Sequence, residues 1–278
     1  MRLASKLTAI AFASAFACAA HAGPFIISGT DADDHGHVSG GANQDGWLFM
    51  QKAIENIGVG VTNGNTTVYA LGSSSSALAA AQSAFNLSSL AATWTFQVID
   101  GAANIANFLQ GGSAGAGIIM LDSGNNVGGG LAADEAAALT ANASFLNSYV
   151  GAGGGLFSQA NTFGWLSALI PTLSVAFDQE QGLALTSAGN TAFPGLADAD
   201  LSAGPYHANF TNVGALPVLA TGIGAFASYN VILGSSGGSI TDPTPVTSVP
   251  EPETYAMMLA GLGLMGAVAR RRKAKQQA

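Results

Sequence analysis

The chain has 278 residues, 49% of them hydrophobic and only 9% charged, with 37 glycines. Its basic residues sit at the two ends: between residues 23 and 248 Lys52 stands alone against fourteen Asp and Glu, a net charge of −13 with His neutral. Such a composition supports a buried core and not a disordered chain, and it excludes nucleic acid and polyphosphates as partners, since these need clustered Lys and Arg.

Residues 1–22 read as a secretory signal peptide. Arg2 and Lys6 form the charged start, Leu7 to Ala20 the apolar run, and Ala20-His21-Ala22 the small-x-small pattern before a cut after Ala22. The run is too short for the ~20 apolar residues of a membrane span. A lipoprotein signal ending at Cys18 is the competing reading, but Ala15 occupies the place where a leucine is expected. The pattern therefore implies the Sec translocon and signal peptidase as partners. Cys18 is the single cysteine, so the body has no disulfide, no thiolate zinc site and no cysteine nucleophile.

From Gly23 onward apolar strands alternate with helices. Phe25 to Ser28 reads as a buried strand. Trp47, Leu48, Met50, Ile54 and Ile57 form a helical stripe, with Asn43 or Asp45 as cap and Gly58 as stop. Residues 67–71 are strand-like, 76–85 helical, 94–99 strand-like and 105–109 a short helix. Residues 117–122 read as another buried strand. A long helix is expected over 134–150, with Asp134 and Glu135 favouring its N-terminus. Residues 155–158, 216–219 and 229–233 read as further strands. Alternation of this kind predicts an α/β domain over 23–233, with a three-layer, flavodoxin-like, mostly parallel sheet.

The Gly, Ser, Thr and Pro stretch over 234–248 reads as a linker. Residues 249–278 then carry Val249-Pro250-Glu251-Pro252-Glu253, an apolar run from Tyr255 to Ala269, and Arg270, Arg271, Arg272 and Lys273. Fifteen helical residues reach ~22 Å, short of a ~30 Å hydrocarbon core, so such a short transmembrane helix spans marginally, helped by snorkelling arginines. This three-part pattern over 249–273 resembles the PEP-CTERM sorting signal. The resemblance implies recognition by an exosortase-type transpeptidase, with the precursor transiently tethered in the inner membrane. It also implies cleavage near the motif and delivery to the outer surface or an exopolysaccharide-containing extracellular matrix.

A second resemblance covers the middle. Gly117 to Asp122, Asn125 to Gly130, the helix ending Leu146-Asn147-Ser148-Tyr149-Val150, and Gly153-Gly154-Gly155-Leu156-Phe157 together resemble the class I glutamine-amidotransferase-like superfamily, its trehalose-utilisation branch in particular. Amidotransferases carry a nucleophilic cysteine at the elbow after this strand. This chain has Ser158-Gln159-Ala160 there. The resemblance thus implies the scaffold without the amidase nucleophile.

In an open parallel sheet ligands sit beyond the carboxyl ends of the strands, and the polar residues of this chain follow those ends. The densest group is Asp31, Asp33, Asp34, His35 and His37. Carboxylates at such spacing suit calcium, and two imidazoles with an Asp suit zinc, so a divalent cation is the one cofactor these residues suggest. An ordinary polar loop that caps the next helix explains the same residues. Ser158 is the nucleophile candidate and His207 its base, with Asp198 or Asp200 to orient the imidazole, although both flanking glycines of a hydrolase elbow are missing. The leading expectation is a non-catalytic exported surface or matrix protein. The alternatives are a surface hydrolase acting on a glycan or amide, with or without a metal, and a calcium- or sugar-binding module.

Overall fold

The computed structural model describes residues 23–124, 128–160, 162–166 and 170–235. The expected signal peptide, most of the expected linker and the C-terminal segment, with its expected short transmembrane helix over 255–269, lie outside the described residues. Among the described residues no helix is long and apolar enough to cross a membrane.

The N-terminal half follows the predicted alternation. Strand β1 (Phe25–Ser28) leads through a small hairpin, β2 (Gly36–Ser39) and β3 (Ala42–Asp45), into helix α1 (Gly46–Gly60). Then come β4 (Thr67–Leu71), α2 (Ser75–Asn86), β5 (Thr95–Ile99), α3 (Ala102–Gln110) and β6 (Ile118–Leu121). Helices α4 (Ala133–Ala141) and α5 (Ala143–Gly151) precede β7 (Gly155–Ser158). The one helix expected over 134–150 is broken at Asn142. Its side-chain Nδ2 donates to the Ala138 carbonyl at 2.8 Å and its Oδ1 accepts from Gln110 Nε2 at 3.1 Å. Asn competes with the helix for backbone partners in this way.

Strands β5, β4, β6, β7 and β1 lie side by side in that order, every neighbouring pair parallel. Their side chains alternate between two cores. Ile27, Ile119, Leu121 and Leu156 face α3, α4 and α5, whereas Ile26, Ile118, Met120 and Phe157 face α1 and α2. This is the three-layer packing of a parallel sheet buried on both faces. Each fully buried Ile or Phe contributes about 1.5–3 kcal/mol. The order departs from the flavodoxin pattern, where the first strand lies between the second and third. Here β1 stands beyond β7.

The C-terminal half extends the same sheet with antiparallel strands. These are β8 (Ser174–Gln181), β9 (Leu183–Leu185), β10 (Pro205–Thr211), β11 (Val218–Gly222) and β12 (Asn230–Ser235). Short helices α6 (Ser187–Ala192) and α7 (Asp198–Leu201) lie between β9 and β10. Strand β12 pairs antiparallel with β1, then β10 and β8 complete the edge. Edge strand β8 is mostly exposed and carries Asp178 and Glu180, the charged edge that discourages strand addition.

Candidate functional site

The carboxyl ends of β1, β6 and β7 meet in one polar cluster. Ser123, after β6, donates its hydroxyl to Asp33 Oδ2 at 2.8 Å. Gln159, after β7, donates from Nε2 to Asp122 Oδ1 at 3.0 Å and accepts the Asp33 amide on Oε1 at 3.2 Å. Asp122 Oδ1 also accepts the Ser123 amide at 3.1 Å. Asp33, Asp122, Ser123 and Gln159 are all buried. Three βα loops that are distant in sequence are thereby clasped together.

Two carboxyl groups share this buried space. Burial and then the charge of Asp122 push Asp33 well above the usual carboxylate range. Burial raises Asp122 too, against the opposing hydrogen bond from the Ser123 amide. Neighbouring carboxylates removed from water resist ionising together, so Asp33 and Asp122 are both held toward their protonated forms. Asp33 Oδ1 and Asp122 Oδ2 are buried without a hydrogen-bond partner.

A second cluster lies beside the first. His207 Nε2 stands 2.8 Å from Asp31 Oδ2, and His35 Nε2 stands 3.4 Å from the same oxygen. Asp31 is buried while both imidazoles are about one-third exposed. Asp34, raised by burial and by the charge of Asp31, faces this group as well. A crevice of about 10 Å³ opens between Asp31, His35, Gly46, Phe49 and Asp200, room for roughly one water.

Backbone geometry builds this second cluster. The register of β10 slips between Tyr206 and Ala208, and the amides of His207 and Ala208 both donate to the Gly29 carbonyl, at 2.7 and 3.1 Å. The bulge flips the faces of the strand: Tyr206 packs in the α1 core, Ala208 and Phe210 in the opposite one. His207, the bulged residue, is aimed at Asp31, as bulges re-aim side chains elsewhere. Gly29 has to be glycine because a Cβ there would overlap the Ala208 carbonyl oxygen, and Gly204 because a Cβ would enter the His35 ring.

The structure separates the candidate metal ligands. Asp31 and His35 join His207, Asp33 joins Asp122, and His37 pairs with Asp45 at 3.3 Å on the exposed hairpin. Among the described residues no three His, Cys, Asp or Glu side chains form a metal-holding group. Ser158 is fully buried and donates to the Gln159 carbonyl at 3.2 Å. Asp198 and Asp200 are not the partners of His207: they accept the Leu185 and Ala197 amides, both at 2.8 Å. Asp122 as partner of Asp33, and Asp31 as partner of His207, escaped the sequence reading. The available signal was their common position just after parallel strands.

Lys52, the lone cation of this stretch, is engaged with Glu55 at 3.0 Å. Comparison of the chain with curated proteins, and of its fold with solved structures, finds no match. Residues 248–273 match the PEP-CTERM protein-sorting motif. That motif implies an exported protein whose membrane-anchored precursor is recognised and processed by an exosortase.

Proposed function

We propose that the protein is a non-catalytic component of the outer surface or extracellular matrix, delivered there by its sorting motif. The observation that carries this reading is the Asp33–Asp122–Ser123–Gln159 clasp. Groups that an α/β enzyme keeps free for its ligand are here bonded to one another. Ser158, the candidate nucleophile at the end of β7, is buried. The acidic domain stays soluble and gathers cations in a polysaccharide matrix. The test is a screen of the purified full chain against glycan and amide substrates, beside thermal unfolding of Asp33→Ala. Loss of stability in the variant and no turnover by the parent support the proposal. Turnover that depends on Asp33 contradicts it.

One observation favours a second reading, a surface hydrolase. The imidazole of His207 is held by a buried carboxylate at 2.8 Å and is partly open to solvent, the arrangement that readies a general base for a water. Here Asp31, and neither Asp198 nor Asp200, orients the imidazole. If turnover is found in the same screen, Asp31→Asn and His207→Ala should each abolish most of it. Turnover unchanged in both variants rules this reading out.

A further inference from the structure

The opposite edge of the sheet holds a cavity of about 240 Å³. It lies where β4, β6 and β7 begin, between the loop before β4, the loop before β6 and the end of α5. Its lining includes Asn63, Asn65, Ser113, Phe145, Ser148 and Tyr149. None of these carries a charge at neutral pH. The volume falls below the ~300–1,000 Å³ of drug-sized sites. This is the scale of one sugar ring.

The polar groups of the lining are divided between fixed and free. Asn63 and Asn65 both donate to the Ala116 carbonyl, at 2.8 and 3.3 Å, and Asn63 Oδ1 accepts the Asn65 amide at 3.0 Å. Tyr149 donates to the Gly117 carbonyl at 2.7 Å. The Ser113 hydroxyl, by contrast, is buried and has no hydrogen-bond partner, and Ser113 is only 2% exposed. An orphaned buried hydroxyl costs about 1–3 kcal/mol, which a ligand hydroxyl would recover. Phe145 is exposed beside it, at 38%, and offers an apolar ring face.

We infer that this cavity binds one ring of a neutral sugar. A charged ligand would meet no counter-charge in it. An apolar ligand would leave the Ser113 hydroxyl without a partner. A pyranose presents a hydroxyl to Ser113 and a C–H face to Phe145. The site lies at the other end of the strands from the Asp31 and Asp33 clusters, so it stands or falls independently of the reading proposed for them.

The test is ligand-observed NMR on the full chain with the methyl glycosides of glucose, galactose and mannose, and with glucuronate as the anionic control. Binding of at least one neutral glycoside is expected. Phe145→Ala should weaken it about 3- to 10-fold, and Ser148→Trp, which fills the cavity from an exposed position, should abolish it. Asp31→Asn should leave it unchanged. Competition by dextran assigns the ligand to a polymer, and binding without such competition assigns it to a free sugar or a chain end. Either supports the site. The inference is overturned if no neutral glycoside binds, if glucuronate binds more tightly, or if binding survives in both Phe145→Ala and Ser148→Trp. Thermal unfolding of each variant shows that it is folded.

Discussion

His207 and Asp31 lie 176 positions apart, yet their side chains meet at 2.8 Å because β10 bulges at His207. The bulge rests on a single carbonyl, that of Gly29, which accepts two successive amides. The position of the imidazole is therefore set by backbone packing at Gly29 as much as by its own partner.

Gly29→Ala tests that dependence. The added methyl overlaps the Ala208 carbonyl, and overpacking of this kind costs about 1–3 kcal/mol or more. Thermal unfolding should show a clear drop. Gly151→Ala is the control, since a Cβ there meets nothing within 4 Å. It should be neutral or slightly stabilising at the end of a helix. Equal effects of the two substitutions would remove the argument.

The buried carboxyl pair makes stability depend on pH. Asp33 and Asp122 are both raised in the folded protein, so the folded form binds a proton that the unfolded chain has released above about pH 3.9. By linkage, the contribution of the pair is fully present below that value and is lost as pH rises through the raised one. Asp33→Asn removes the titrating group. The difference in melting temperature between parent and variant should therefore move in favour of the variant as pH rises. A constant difference across the acid-to-neutral range would contradict a raised Asp33.

Glu135 joins two elements. One oxygen accepts the Ala132 amide at 2.8 Å at the start of α4, the other the Gly101 amide at 2.7 Å after β5. Hydrogen bonds to a charged group contribute about 1.5–3 kcal/mol. Glu135→Ala should cost roughly 2–3 kcal/mol in denaturant unfolding, and a cost under about 0.5 kcal/mol would show that water replaces the clip.

The parallel half of the fold was legible because its strands are short apolar runs, such as Ile118 to Leu121, set between helical stripes. The antiparallel half was legible only in part: the runs over 216–219 and 229–233 anticipate β11 and β12, whereas β8, β9 and β10 gave no such signal. Strand β8, Ser-Val-Ala-Phe-Asp-Gln-Glu-Gln, is an exposed edge and lacks the apolar signal of a buried strand. Strand β10 breaks its alternation at the bulge, so period-two reading fails there. At the site, the residues of the first loop were readable as a polar cluster. Their division was not: neighbours Asp31 and Asp33 turn to different partners, on β10 and after β6. Spacing within a loop carries no information about which distant strand end each side chain meets.

The sorting motif over residues 248–273 implies export of this chain and its processing by an exosortase. The direct measurement is fractionation of cells that have an exosortase and make the tagged protein, with the Pro250-Glu251-Pro252 motif intact or changed to alanines. The intact chain should give a shortened product at the surface or in the medium, and the variant a longer precursor held in the membrane fraction. The same size and distribution for both chains would contradict it.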